Sequence, residues 1–154
     1  MGEEQGGHPV VREIVVVDHH RRAAAVEITK TGAQQLCDHD AARAGMRVLG
    51  WCHSHHTALQ AIASVADLRV QCNYQSLDPN FLMVILWQKG VEATIGMSVQ
   101  RIEPSRLQEL KAHGGVIDAS LGSMQKVAEY LQNVPVESLA ETTAVEVVDL
   151  RKHD

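Results

Sequence analysis

The sequence predicts a single α/β domain in which a mixed sheet is flanked by helices, and three observations predict this class. Residues 10–18, 31–44 and 46–52 read in the order strand, helix, strand, which requires a crossover connection over a sheet. Residues 81–87 (FLMVILW) form an unbroken apolar run, which is typical of a central strand buried on both faces. A chain of 154 residues is long enough to form one domain with a stable core.

The first part of the chain predicts a tail, a hairpin and a helix. Residues 1–9 (MGEEQGGHP) are polar and rich in glycine, so they predict a disordered tail. Two β-favouring runs, residues 10–18 and 23–28, are separated by a polar turn and predict a hairpin. Thr31 is expected to cap the helix that follows, and Gly45 is expected to end it in the left-handed conformation.

The second part of the chain predicts a helix, two more strands and then further helices. Residues 64–77 predict a helix with an apolar stripe. The strand at 81–87 is followed by a turn and by an antiparallel strand at 91–102. The pattern then changes to helices at 104–112 and at about 123–133.

These elements divide the chain into three parts. We expect a disordered tail at 1–9, the α/β domain at 10–103 and a helical C-terminal extension at 104–154. Within the extension, the apolar run at 144–150 predicts either a short strand or a partner-binding helix.

Composition excludes several functional classes. The 14 basic and 19 acidic residues give a net charge of −5, which offers no electrostatic surface for nucleic acid or an anionic membrane. No stretch has the apolar length of a membrane span, and no basic-then-apolar leader is present, so we expect a soluble protein of the cytoplasm, the nucleus or both. The three cysteines, Cys37, Cys52 and Cys72, predict buried thiols rather than a disulfide framework.

The segment at 50–75 contains the residues that predict chemistry. His53 and His55 end an apolar strand, where residues two apart leave by the same face. Asp67 follows Ser64 at the spacing of a helix N-cap and its N3 residue, so its carboxylate is expected at the start of a helix. Two imidazoles and a carboxylate can bind zinc and leave a fourth position open, which is the arrangement of a catalytic zinc site.

The same residues also have a purely structural interpretation. A serine followed three residues later by an acid is a helix-capping pattern, because the hydroxyl and the carboxylate satisfy free N–H groups. A His-x-His pair can arise by chance in a chain with nine histidines. The strand, loop and helix start, taken together, favour the metal interpretation.

The motif resembles that of the JAMM (MPN+) zinc isopeptidases, which remove ubiquitin or ubiquitin-like proteins from lysine side chains. The matching segments are GWCHSH at 50–55 and SVAD at 64–67, and the flanks most resemble the lysine-63-specific branch found in the BRISC deubiquitinase complex. The flanks resemble the endosomal AMSH-type enzymes almost as closely. The similar flanking segments are AVEIT at 25–29, RVLGWCHSH at 47–55 and DLRVQCNYQSLDPNF at 67–81, within a resemblance that covers about residues 25–102.

The resemblance implies an MPN fold and a zinc-dependent deubiquitinase. Zinc held by His53, His55 and Asp67 would activate a water for attack on the isopeptide carbonyl, with a carboxylate as general base. Ser64 would donate a hydrogen bond to the developing oxyanion. The implied partners are ubiquitin or ubiquitin chains and an MPN-domain subunit, with no nucleic acid and no membrane.

The chain departs from the family pattern at three places. His56 replaces the proline after the second histidine, and the loop from His55 to Asp67 is one residue longer. The family's catalytic glutamate lies on an early strand, three residues before a glycine, and here only Glu3 and Glu4 have that spacing.

These departures leave the general base open, with Glu4 as the candidate and His56 or His113 as substitutes. We therefore expect zinc binding with weak or absent cleavage. The alternative is a non-catalytic MPN scaffold subunit of a deubiquitinase, proteasome-lid or signalosome-like complex.

Overall fold

The computed structural model describes residues 1–6, 8–22, 25–55, 62–89, 94–112, 124–136 and 146–151. The strands, in chain order, are β1 (Gly2–Gln5), β2 (His8–Val11), β3 (Glu13–Val16), β4 (His19–Arg22), β5 (Ala25–Ile28), β6 (Gly50–His55), β7 (Leu82–Lys89), β8 (Thr94–Ile102), β9 (Leu131–Asn133) and β10 (Glu146–Asp149). The helices are α1 (Lys30–Ala42), α2 (Val65–Leu77), α3 (Pro104–Ala112) and α4 (Met124–Ala128). The chain divides into two compact units, Met1–Leu49 with Ser138–Asp154, and Gly50–Glu137.

The second unit contains a four-stranded mixed sheet in the order β6-β7-β8-β9. Strand β6 is parallel to β7, whereas β8 is antiparallel to both of its neighbours. Helix α2 packs on β7 and β8 and also contacts α3 and α4. The predicted class, a mixed sheet flanked by helices, is therefore confirmed.

The core of this unit lies between α2 and the sheet. The central strand predicted at 81–87 is confirmed as β7, where Met83 and Ile85 are fully buried and Val84 and Leu86 are partly buried. Alternation along the strand directs Met83 and Ile85 to the face that carries α2. The buried apolar residues of this core are Ala63, Leu68, Cys72, Met83, Ile85, Ile102, Leu107, Leu110 and Val127.

The first unit contains three separate two-stranded ladders, so the prediction that residues 10–18 and 23–28 form a hairpin is wrong. Strands β1 and β2 form an antiparallel hairpin, β3 pairs in parallel with β10, and β4 pairs with β5. The run predicted at 10–18 is interrupted at Arg12, because the backbone N–H groups of Arg12 and Glu13 both donate to the carbonyl of Met1.

The predicted disordered tail is wrong, because residues 2–5 form strand β1. Gly6 adopts φ +57 in the turn that leads to β2, a conformation that glycine tolerates without strain. Gly2 exchanges backbone hydrogen bonds with Arg47 at 3.0 and 2.8 Å. A polar composition indicated solvent exposure, but backbone pairing does not require apolar side chains.

Helix α1 begins two residues earlier than predicted. Its N-cap is Thr29 rather than Thr31, and the Thr29 hydroxyl accepts from the Gly32 N–H at 3.0 Å. Gly45 adopts a positive φ (+84), as predicted, but the helix ends before it, at Ala42 with Arg43 as the C-cap. The buried Glu13 side chain of β3 joins the helix to the ladder through ion pairs with His39 at 2.7 Å and Arg43 at 3.1 Å.

The C-terminal extension contains strands as well as helices. Helix α3 is confirmed at Pro104–Ala112, but the helix predicted at about 123–133 ends at Ala128, and β9 follows it on the edge of β8. The apolar run at 144–150 contributes strand β10, which decides between the two predicted alternatives. Within the described residues, none of the helices is both long and apolar enough to span a membrane.

The cysteine prediction holds only in part. Cys72 is buried in α2, whereas Cys37 and Cys52 are exposed. Cys52 lies between Trp51 and His53 on β6, so its side chain leaves by the face opposite to theirs.

Candidate metal centre

The two histidines of the motif lie on β6 and face the same side of the sheet. In the β6–β7 register, His53 is opposite the buried Ile85 and His55 is opposite Trp87. Directly paired residues share a face, so both imidazoles are on the side that carries α2. The prediction that His53 and His55 lie on the same face of the strand is thus confirmed.

Asp67 reaches the histidines from the first turn of α2. Its Oδ2 accepts a hydrogen bond from the Ser64 backbone N–H at 2.7 Å, and the Ser64 Oγ accepts from the Asp67 N–H at 3.2 Å. This reciprocal pair is a capping box, so the structural interpretation of the Ser64 and Asp67 spacing is correct. The same two hydrogen bonds hold the carboxylate at the N-terminus of α2, where it also contacts both imidazoles.

Four possible ligand atoms from three side chains converge at this point. The Nε2 atoms of His53 and His55 lie 2.9 Å apart, and they lie 3.2 and 3.3 Å from Oδ1 and Oδ2 of Asp67, respectively. The three side chains are only 12%, 9% and 13% exposed. Among the residues that the structure describes, these three are the group of histidine, cysteine and acidic side chains close enough to hold one metal ion.

The donor set fits a zinc ion. Nitrogen and oxygen ligands at ~2.0–2.1 Å from zinc in a tetrahedron lie about 3.3 Å from one another, close to the observed separations. Two imidazole lone pairs and a carboxylate pointing at one another repel unless a cation or a proton lies between them. In addition, the buried Nδ1 atoms of His53 and His55 have no hydrogen-bond partner in the described part of the chain.

The electrostatics of Asp67 favour its ionised form. Burial alone would raise the pKa of this carboxyl, but hydrogen bonds from His53 and Ser64 and the nearby His53 charge outweigh burial and lower the pKa to about 2. Asp67 therefore carries an anionic carboxylate across the physiological pH range.

Glu3 and Glu4 lie on a regular strand rather than on a frayed segment. Glu3 on β1 forms an ion pair with Arg12 at 2.9 Å, and Glu4 forms one with Arg47 at 2.8 Å. The early strand on which the resemblance expects a glutamate is therefore present. The alternative bases, His56 and His113, lie outside the described residues.

Two residues beside the cluster were missed by the sequence analysis. Trp51 stacks on the His53 ring with a centroid separation of 4.3 Å and an interplanar angle of 7°. Gln71 accepts the Trp51 Nε1–H at 2.8 Å and is fully buried. The available signals were the position of Trp51 two residues before His53 and the polar Gln71 on the buried side of α2.

The family comparison covers the site. Residues 1–80 match the family model described as JAB1/Mov34/MPN/PAD-1 ubiquitin protease. The matched segment is more than half of the chain and includes β1, the histidines and Asp67. No curated protein matches the chain. With the mixed sheet, the flanking helices and this match, the chain belongs to the JAB1/Mov34/MPN/PAD-1 family of MPN-domain proteins.

Proposed function

We propose that the chain is a JAMM-type zinc isopeptidase that acts on ubiquitin or ubiquitin chains, with low intrinsic turnover. The observation that carries the proposal is the convergence of two imidazole nitrogens and one carboxylate within 2.9–3.3 Å of one another. This set supplies three protein ligands and leaves one coordination position for a reactant, which is the composition of hydrolytic zinc sites.

Each residue of the cluster has a distinct role in this proposal. His53, His55 and Asp67 would hold the ion, and the capping box fixes the Asp67 carboxylate in the first turn of α2. When bound, zinc supplies a Lewis acid that activates water and polarises the scissile carbonyl. The Ser64 hydroxyl uses its oxygen to accept the Asp67 N–H, so its proton remains available to donate to a developing oxyanion.

The general base is assigned to Glu4, with Glu3 as the neighbouring candidate. A base must accept a proton from water and return it to the departing lysine amine. The Glu4 carboxylate is engaged by the Arg47 guanidinium, and the side chain is 47% exposed. This ion pair occupies the carboxylate, which supports low turnover by the chain on its own.

The experiment that tests this proposal combines metal content with cleavage. The purified chain should contain close to one zinc and should cleave lysine-63-linked di-ubiquitin slowly, with no cleavage by the His55→Ala variant. Parallel assays on other linkages test the lysine-63 assignment, which rests on the sequence flanks alone. A chain without zinc and without activity would contradict the proposal.

A second candidate function is a non-catalytic scaffold that pairs with another MPN-domain subunit. One observation favours it: α2 carries an exposed apolar stripe formed by Val70, Tyr74 and Leu77, which are 37%, 40% and 87% exposed. Their spacing places them on one side of the helix, which is typical of a helix that packs against a partner.

The two candidates are distinguished by a partner-binding assay. A scaffold should bind an MPN-domain partner subunit through the α2 stripe, and Leu77→Glu should abolish that binding without altering zinc content. Zinc-loaded chain that cleaves no linkage, alone or with the partner, would favour the scaffold over the enzyme.

A further inference from the structure

Within the described residues, His53 lacks the hydrogen bond that ordinarily orients a metal-binding histidine. Such histidines usually donate their second ring N–H to a carboxylate or a carbonyl, and that bond fixes the ring. The Nδ1 atom of His53 is buried and has no hydrogen-bond partner among the described residues. Among the described residues, a contact other than this hydrogen bond holds the plane of the ring.

Trp51 makes that contact. Its indole lies nearly parallel to the His53 imidazole, at 7° and 4.3 Å between ring centroids. Trp51 and His53 are two residues apart on β6, so both side chains leave by the same face. A flat stack of this kind limits rotation of the imidazole about χ2, which is otherwise a broad torsion.

Trp51 is in turn fixed by a buried amide network. The Trp51 Nε1–H donates to Gln71 Oε1 at 2.8 Å, and Gln71 Nε2 donates to the Phe81 carbonyl at 2.7 Å and to Gln75 Oε1 at 2.9 Å. Gln75 is held by the backbone of Ile102, at 2.8 Å to both its N–H and its carbonyl. The network thus connects the indole to the backbone at the start of β7 and the end of β8.

The polarity of the network allows one orientation of Gln71. Both partners of its amide nitrogen are acceptors, and the partner of its oxygen is a donor, so rotating the amide by 180° would leave every one of these bonds unmade. Gln71 and Gln75 are both fully buried. A buried network is favourable only when all its members are satisfied, and this one therefore resists displacement.

From these contacts we infer that Gln71 is a positioning residue, which acts through the stacked Trp51 indole to hold the His53 Nε2 toward His55 and Asp67. The inference rests on the proposed metal site and identifies what organises it. Gln71 touches neither zinc nor substrate, and its effect reaches the site only through Trp51.

The experiment measures zinc affinity by competition with a chromophoric chelator. The variants are Gln71→Met, Trp51→Leu, Trp51→Phe and the combinations of Gln71→Met with each tryptophan change. Gln71→Met keeps the volume without the amide, Trp51→Leu removes the stack, and Trp51→Phe keeps a ring without the N–H. Val127→Ala is the control, because Val127 is a fully buried core residue outside the network.

We expect Trp51→Leu and Gln71→Met to weaken zinc binding about 10- to 100-fold, the range typical of residues that support a metal ligand. Val127→Ala should change the affinity less than about 2-fold, although it lowers stability. Gln71→Met should add little once Trp51 is leucine or phenylalanine, because the connection is already broken. The visible absorption of the cobalt-substituted chain should change in Gln71→Met and remain unchanged in Val127→Ala.

Two results would overturn the inference. The first is that Gln71→Met and Trp51→Leu bind zinc as tightly as Val127→Ala does. The other is a full additional loss from Gln71→Met in the Trp51→Leu background. If Gln71→Met does not fold, the role of the stack is decided by comparing the zinc affinity of Trp51→Leu, which removes the stack, with that of Trp51→Phe, which keeps a ring. A wild-type chain that binds no zinc would instead reject the proposed function itself, together with this inference.

Discussion

Ser64 and Asp67 exchange hydrogen bonds in both directions, from backbone N–H to carboxylate at 2.7 Å and from backbone N–H to hydroxyl at 3.2 Å. This pair begins α2 and also holds the carboxylate that faces the two histidines. The capping and metal-binding interpretations of these residues are therefore compatible, since each carboxylate oxygen has more than one lone pair. Helix stability and metal binding are expected to be coupled at this position.

Removal of a ligand should release zinc. His53→Ala, His55→Ala and Asp67→Ala each remove one of the three protein ligands, so each variant should lose most of its metal. His19→Ala is the matched control, because His19 lies on β4 and its Nδ1 bonds to the Val17 carbonyl. Metal analysis of the purified variants makes the test. Zinc retained after His55→Ala would show that the ligands are assigned to the wrong residues.

The metal-free protein should lose stability in acid because of Asp67. Its folded pKa of about 2 lies below the usual value of 3.8, so ionised Asp67 stabilises the fold at pH values above 3.8. That contribution, about 2 kcal/mol, should disappear as the pH falls from about 4 to about 2. Urea unfolding of wild type and Asp67→Asn against pH measures it. If the free energies of unfolding of the two proteins depend on pH in the same way across this range, the loss of stability does not come from Asp67.

Ser64→Ala should have two separable effects. The loss of the N-cap should reduce the free energy of unfolding by about 1 kcal/mol. The loss of the oxyanion donor should reduce any turnover by about 10²- to 10³-fold, a far larger effect than the change in stability predicts. Thermal unfolding and cleavage are measured on the same preparation. Thr29→Ala removes the N-cap of α1 and is the control that should affect stability alone.

Replacement of the β1 glutamates should identify the base. General acid–base catalysis is typically worth about 10²- to 10⁴-fold, so Glu4→Gln should reduce the slow cleavage of lysine-63-linked di-ubiquitin by that order, and zinc content should remain unchanged. Glu3→Gln tests the neighbouring candidate on the same strand. Cleavage unaffected by either change would place the base elsewhere, and His56 would be the next residue to test.

The sequence by itself determined the features that depend on local geometry. The alternation of a strand places His53 and His55 on one face, and the spacing of Ser64 and Asp67 produces the capping box that the structure contains. The apolar run at 81–87 indicated an interior strand, because a strand with apolar residues on both faces is typically buried on both. These properties need no information about distant residues.

The tertiary structure decided the features that depend on partners far away in the chain. Composition at 1–9 predicted a tail, whereas β1 is ordered by pairing with β2 and by backbone bonds to Arg47. Residues 131–133 continue a helical pattern in the sequence, but they form strand β9. Pairing with β8 satisfies their backbone N–H and C=O groups, and local propensity carries no information about that pairing. The contact of Trp51 with Gln71, 20 residues later, arises only when α2 packs on the sheet. The local sequence thus identified the three candidate metal ligands, whereas the contact of the His53 ring with Trp51 and its connection to Gln71 depend on packing.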